Sequence, residues 1–258
     1  MQAPLNNLIE SIRSAMTPGD RGIRALIVPN DDPLASGFAS FLSKQQRARC
    51  RRFDDPADRR AALVCKGLWR LGAGVLLGEN PARVELSRDR WNRPQLIGLA
   101  RDTVDLNVSR TRTHSGLVLS RGCRVGIDLE SVAPSLVTDE LVRAVMHEAD
   151  PLDDASDADV FFGLWTHKEA VLKADGRGLE VDPRQVHLNG LGSPQSDWSL
   201  CGCHGQAWNT RPLECPPSIK GAIASNHLPA SCVQVAWESI VAAVIERGSC
   251  AHVASSNP

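Results

Sequence analysis

The sequence predicts an α+β protein of two similar lobes, each a small antiparallel sheet packed with helices. Two observations carry this. Ser43 to Leu77 reads as two helices with short strand candidates around it, at 23–28, 84–88 and 104–109. The second half repeats the outline: a strand at 124–130, helical segments at 137–148 and 158–174, then strands near 184–188, 197–200, 220–225 and 232–238. Helices followed by several strands, twice over, suit two packed α+β units. No residue-level internal repeat accompanies the pattern.

The helical stretch breaks near Asp54-Asp55-Pro56; its first part is crowded with arginine ("RARCRRF", 47–53) and its second ends apolar. "IRALIV", "VELSR" and "VDLNVS" have the β-branched content and approximate alternation of strands. "GLVLS" and "RVGIDLE" read as a hairpin around Arg121-Gly122. Residues 1–20 and 249–258 read as loose tails. The expected domains are therefore an N-terminal lobe at 1–123 and a C-terminal lobe at 124–248.

Across 258 residues, 29 basic and 30 acidic side chains leave a formal net charge of -1, so no bulk field draws the chain to nucleic acid or an anionic membrane. No apolar run approaches the roughly 18 residues of a membrane span, and the start lacks a basic region followed by an apolar core. The expectation is a cytoplasmic protein with no nucleic-acid or membrane partner. Eight scattered cysteines in a chain of this length read as reduced thiols. "CGCH" (201–204), with Cys215 beyond it, lacks the paired spacing of structural zinc sites.

Two segments carry charges that need explaining. In "VGIDLE", strand alternation sends Asp128 and Glu130 to one side and Ile127 and Leu129 to the other. Two like charges then stand side by side, either on a solvated edge or around a shared cation. In "FFGLWTHKEAVLKADGRGLEVDP" (161–183), the helical period groups Trp165, Lys168, Glu169, Leu172 and Lys173. The plain reading is a surface helix with Glu169 and Lys173 in the favourable i,i+4 order. The glycines at 176 and 178 permit a close turn, which suits an anionic ligand beside a charged helix face.

Together, "GIDLE" and "WTHKEAVLKADGRGL" resemble the two signature motifs of the 4′-phosphopantetheinyl transferase superfamily, G-[IV]-D-x-E and W-x-x-K-E-A-x-x-K-x-x-G-x-G, in the right order and at a fitting distance. "WNRPQL" (91–96), "NVSRT" (107–111) and "RARCRRF" further resemble segments of the two-lobed members that activate synthetases of secondary metabolism. The resemblance implies a pseudo-twofold pair of lobes with coenzyme A in the cleft between them. It implies transfer of the phosphopantetheine arm of coenzyme A to a serine of an apo acyl or peptidyl carrier protein, with release of adenosine 3′,5′-bisphosphate, by a monomer.

Displacement at phosphorus within a pyrophosphate needs positioning and charge neutralisation more than covalent help. A hard divalent cation, Mg2+, supplies these and favours carboxylate oxygens. The resemblance assigns Asp128, Glu130 and Glu169 as its ligands and Lys168 and Lys173 as phosphate contacts, with Asp128, Glu169 and Lys173 as the catalytic set. Glu169, a water it orients, or Glu148 is the candidate base. Trp165 reads as an anchor. Coenzyme A contacts are expected from Arg49, Arg52, Arg93, Ser109 and Arg110.

This chain departs from the pattern in two places. Arg110 stands where relatives carry His after N-x-S; it holds a phosphate bidentately but is no neutral base. His114 would replace it only if the strand slips. Asn92 stands where a Gly is usual before the basic residue. A magnesium-dependent hydrolase of a nucleotide pyrophosphate and a catalytically silent coenzyme A or carrier-binding module are the alternatives.

Overall fold

The computed structural model describes residues 2–254 apart from 92, 98, 102, 149, 151–156, 190–198 and 204. Asn92 and His204 therefore lie outside the described residues, as do parts of the expected strand at 197–200 and of the segment joining the second lobe's helices.

The expected loose tail at 1–20 is instead a helix, α1 (Gln2–Met16). Leu5, Leu8, Ile9, Ile12 and Met16 recur three and four residues apart, and Leu8, Ile12 and Met16 are buried. Strand β1 (Gly22–Pro29) follows, then the short α2 (Pro33–Ser36), α3 (Lys44–Cys50) and α4 (Pro56–Leu77). The break at 54–56 falls where the sequence places it. Asp55 caps α4 by accepting from Ala57 N, Pro56 takes the first turn, and Gly78 closes the helix at φ 71°. Ser43 and Gln46 form a reciprocal capping box on α3.

A small hairpin, β2 (Leu86–Arg88) and β3 (Pro94–Leu96), leads to β4 (Val104–Arg110), β5 (His114–Arg121) and β6 (Val125–Ser131). Next come α5 (Asp139–Val145), α6 (Ala158–Asp175), and strands β7 (Val186–Asn189), β8 (Ser199–Cys203), β9 (Gln206–Pro212), β10 (Ile219–Ser225) and β11 (Ser231–Val235). The last helix is α7 (Trp237–Ala254).

The architecture is α+β. One sheet has the order β11-β1-β5-β4 and another β6-β10-β9-β8-β7. Among the described residues all strand pairings are antiparallel except β1 with β11, so the first sheet is not wholly antiparallel as expected. The expected hairpin of 116–120 with 124–130 does not form: β5 pairs with β1 and β4, whereas β6 pairs with β10. Gly122, at φ 76°, turns the chain out of one sheet and into the other.

The end of the chain also departs from expectation. The sequence puts 231–248 in the second lobe, but β11 adds to the edge of the first sheet and α7 packs on α1. Trp237, Ile240 and Val244 of α7 join α1, α4 and the first sheet in one core. The presumed tail from 249 continues α7 to Ala254. A second core lies under α6 on the second sheet. Between the sheets, Ile23, Ala25, Val118, Val125, Ile127 and Ile223 form a third.

The two sheets meet along β4 and β6 through side chains. Asp105 Oδ2 accepts from Val125 N at 2.9 Å, Asn107 Oδ1 from Ile127 N at 3.4 Å, and Ser109 Oγ from Leu129 N at 3.2 Å. Alternate residues of one strand thus satisfy alternate backbone donors of the next, because a strand's side chains repeat every second residue. On the other face of β6, Gly126 lets α6 approach: a Cβ there would stand 2.1 Å from Ala170 O. The glycine of "GIDLE" is a packing requirement.

Candidate active site

Strand β6 and helix α6 bring the two motifs together. Asp128 is 2% exposed. Its Oδ1 pairs with Lys173 Nζ at 2.5 Å and accepts from Ser109 Oγ at 3.0 Å, and Lys173 Nζ also reaches Ser109 Oγ at 2.9 Å. Asp128 Oδ2 is buried with no hydrogen-bond partner. A buried carboxylate oxygen left bare is costly unless something outside the chain meets it.

Glu130 accepts from Trp165 Nε1 at 3.4 Å. Burial, and then the charge of Asp128, pushes its pKa up to about 7, with Glu169 adding to the repulsion. Burial raises Glu169 as well, Asp128 acting in the same sense against Lys173. Burial works to lower Lys173, yet Asp128, Glu169 and Glu130 outweigh it and leave the ammonium firmer than usual. The site is short of positive charge. Its donors are hard oxygens suited to a divalent cation that retains water and phosphate ligands. Among the described residues, no three His, Cys, Asp or Glu side chains close into a finished metal cage.

Lys168 is a correction. Expected at the phosphate, it is 0% exposed and pairs with Asp150 Oδ2 at 2.7 Å. It also donates to Val186 O at 2.6 Å and Pro183 O at 3.2 Å, which uses all three of its protons. It lies five positions before Lys173, about 140° around the helix. Asp150 further accepts from His147 N and Leu188 N. Glu148, the second candidate base, stands exposed in that same turn.

A cleft of about 550 Å3 opens between α3, α4, the β2–β3 hairpin and the end of β4. Arg49 and Arg110 line it as expected of ligand contacts, joined by Lys66, Arg88, Gln46 and Trp69. Arg110 lies over the Phe53 ring at 5.3 Å. Arg110 occupies the position after Ser109, so no strand slip substitutes His114, which lines a different pocket beside Trp237. Cys65 ties cleft to acidic site: burial raises its pKa to about 11, against the opposing charges of Arg110 and Lys173.

Arg93 is a second correction. Its guanidinium is buried and donates to Asp105, Leu106 O and Val125 O, and it does not line the cleft. Ser109 touches Asp128 and Lys173 rather than the cleft, and Arg52 lies outside the cleft lining. Sequence reading missed Lys66 and Arg88. Lys66 had a signal, as a cation inside the apolar run "LVCKGLW".

The cysteines described are free thiols. Cys201 and Cys203 are buried in the second core, and among the described residues no metal cluster includes them. No helix among the described residues is long and apolar enough to cross a membrane.

Comparison with known proteins agrees with this geometry. Residues 124–214 match the family described as the 4′-phosphopantetheinyl transferase superfamily. A putative 4′-phosphopantetheinyl transferase of Synechocystis sp. is 26% identical over 62% of this chain and 67% of its own length. The 4′-phosphopantetheinyl transferase HetI of Nostoc sp. is 29% identical over 59% of this chain and 68% of its own. The 4′-phosphopantetheinyl transferase Sfp of Bacillus subtilis is 26% identical over 79% of this chain and 92% of its own. The matched segment covers β6 and α6, the elements that assemble the acidic site, and there the chain is similar to the 4′-phosphopantetheinyl transferase superfamily.

Proposed function

We propose that the protein transfers the phosphopantetheine arm of coenzyme A to a serine hydroxyl of an apo carrier protein, releasing adenosine 3′,5′-bisphosphate. The observation that supports this best is the adjacency of a cationic cleft to a carboxylate–lysine site at the end of β4. The first suits a nucleotide with several phosphates. The second suits the pyrophosphate where bonds change.

Asp128 through its bare Oδ2, together with Glu130 and Glu169, would hold Mg2+. When bound, the ion neutralises charge on the pyrophosphate oxygens. Lys173 carries a positive charge to the same place and is itself fixed by Asp128 and Ser109. Ser109 holds Asp128 in one rotamer. Arg49, Lys66, Arg88 and Arg110 grip the nucleotide phosphates; the Arg110 guanidinium offers a bidentate fork. The serine proton passes to Glu169 or to a water it orients. The two lobes are proposed to be residues 1–123 together with the returning strand and helix at 231–254, and residues 124–230.

The test is to incubate the protein with Mg2+, coenzyme A and an apo carrier protein and weigh the carrier. A gain of one phosphopantetheine group is expected. Coenzyme A breakdown with an unmodified carrier would indicate a hydrolase, and binding without turnover a silent module. In the same assay Arg110→Ala should raise the coenzyme A KM by about 10-fold or more, the worth of a charge-assisted hydrogen bond, with a smaller change in kcat.

Glu130 gives a pH signature. Its folded pKa, about 7, exceeds the ordinary carboxyl value of about 4.3, so over this window the native state binds a proton that the unfolded chain has lost. Stability of the metal-free protein therefore falls as pH rises from about 4.3 to 7. Glu169 acts in the same sense, and Lys173, raised from its usual value of 10.5, matters only in alkali. Mg2+ competes with that proton, so it should raise the melting temperature at about pH 8 and much less at about pH 5. Equal magnesium shifts at both values would remove Glu130 from the ligand set.

A further inference from the structure

We infer that Asp105 is a positioning residue that aligns β6 with α6, the two elements bearing the proposed cation ligands, and that Arg101 carries its hold to α6. The inference rests on the metal site proposed above.

Asp105 is 5% exposed and has three partners. It accepts from Val125 N at 2.9 Å, three residues before Asp128. It binds Arg93, which continues to Val125 O at 3.2 Å, so both polar groups of Val125's peptide positions are held from one carboxylate. It takes Arg101 in a two-pronged contact, Nε at 3.2 Å and Nη2 at 2.9 Å. The same Arg101 Nη2 donates to Ala174 O at 2.7 Å, one residue after Lys173. Arg124, immediately before β6, makes a parallel tie to Asp175 O.

A cation at the C-terminal carbonyls of a helix is favourable in itself, so Arg101 could be explained as a cap. The fixed link to Asp105 adds something a cap does not require. It fastens the last turn of α6 to the start of β6, across the point where Asp128 must meet Glu169 and Lys173. The guanidinium fork spans both contacts through Nε and Nη2, whereas a lysine brings a single donor atom on a shorter stem. Groups that hold metal ligands in orientation typically influence affinity by about 10–100-fold.

The test uses Arg101→Gln and Arg101→Lys in the full chain. Arg101 is the first choice because its side chain is 17% exposed, whereas Asp105→Asn removes the one anion between two arginines and threatens folding. Mn2+ affinity is read directly from free-ion electron paramagnetic resonance, and coenzyme A KM from the transfer assay. Arg101→Gln should weaken Mn2+ binding about tenfold. Arg101→Lys should recover part of that loss, and the coenzyme A KM should stay within about twofold because Arg49, Lys66 and Arg110 are untouched. A lowered melting temperature with unchanged Mn2+ affinity would reduce Arg101 to a cap and overturn the inference alone. A wild-type protein that binds no Mn2+ would overturn the metal reading, and this inference with it.

Discussion

Asp128→Asn should lower the transfer rate by at least about 10²-fold while leaving the protein folded. The expected size is that of removing one well-placed charge or dipole from a site where negative charge develops. Asparagine keeps an acceptor for Ser109 Oγ and Lys173 Nζ, so the local hydrogen bonds survive. It supplies no anionic oxygen in place of the buried, unpartnered Oδ2. It also removes the second-largest cause of the raised Glu130 pKa, so the acid of Glu130 should titrate lower than in the wild type. Single-turnover transfer and thermal unfolding measured side by side check both halves. A variant that keeps a tenth of the wild-type rate would sink the assignment.

Asp150→Ala should have the opposite profile, a large loss of stability with little change in chemistry per folded molecule. It leaves Lys168 buried, charged and without its anion, a situation that costs about 3–5 kcal/mol. For a chain of this size that is about 10 °C in melting temperature. It also strips Leu188 N and His147 N of their acceptors. The double variant Asp150→Leu, Lys168→Met should regain much of the loss, since an apolar pair of similar volume needs no desolvation. The double variant decides Lys168's role: if it folds well yet shows a raised coenzyme A KM, Lys168 touches substrate and is more than the buried partner of Asp150.

The acidic site was legible because its information is local. Asp128 and Glu130 alternate along one strand, and Glu169 and Lys173 are one turn apart, so each pair follows from a period alone. Lys168 was misread because grouping side chains on a helix face ignores what approaches from behind, and its partner lies in a segment with no pattern of its own. Arg93 failed similarly: a basic residue beside a proline looks like a ligand contact until Asp105 is brought under it by the sheet. Among the elements, α4 announced itself through Asp55-Pro56 and its apolar run. The α1 pattern was present in Leu5, Leu8, Ile12 and Met16 but diluted by polar neighbours. The missed strand swap at Gly122 is a tertiary matter, since a tight turn between two strands does not say which sheet each will join.

The side-chain seam between β4 and β6 has a consequence for how the molecule keeps its dimensions. A backbone ladder is chemically uniform and can slide by two residues with every bond remade. Asp105, Asn107 and Ser109 offer three different acceptors, a carboxylate, an amide oxygen and a hydroxyl, each set on its own donor of β6. The seam works as a vernier with unequal graduations: displacement of the halves in either direction mismatches all the marks together. The setting of the acidic site against the cationic cleft is thus written into three consecutive odd-numbered residues, and a designer wishing to widen or narrow that gap has those positions to edit.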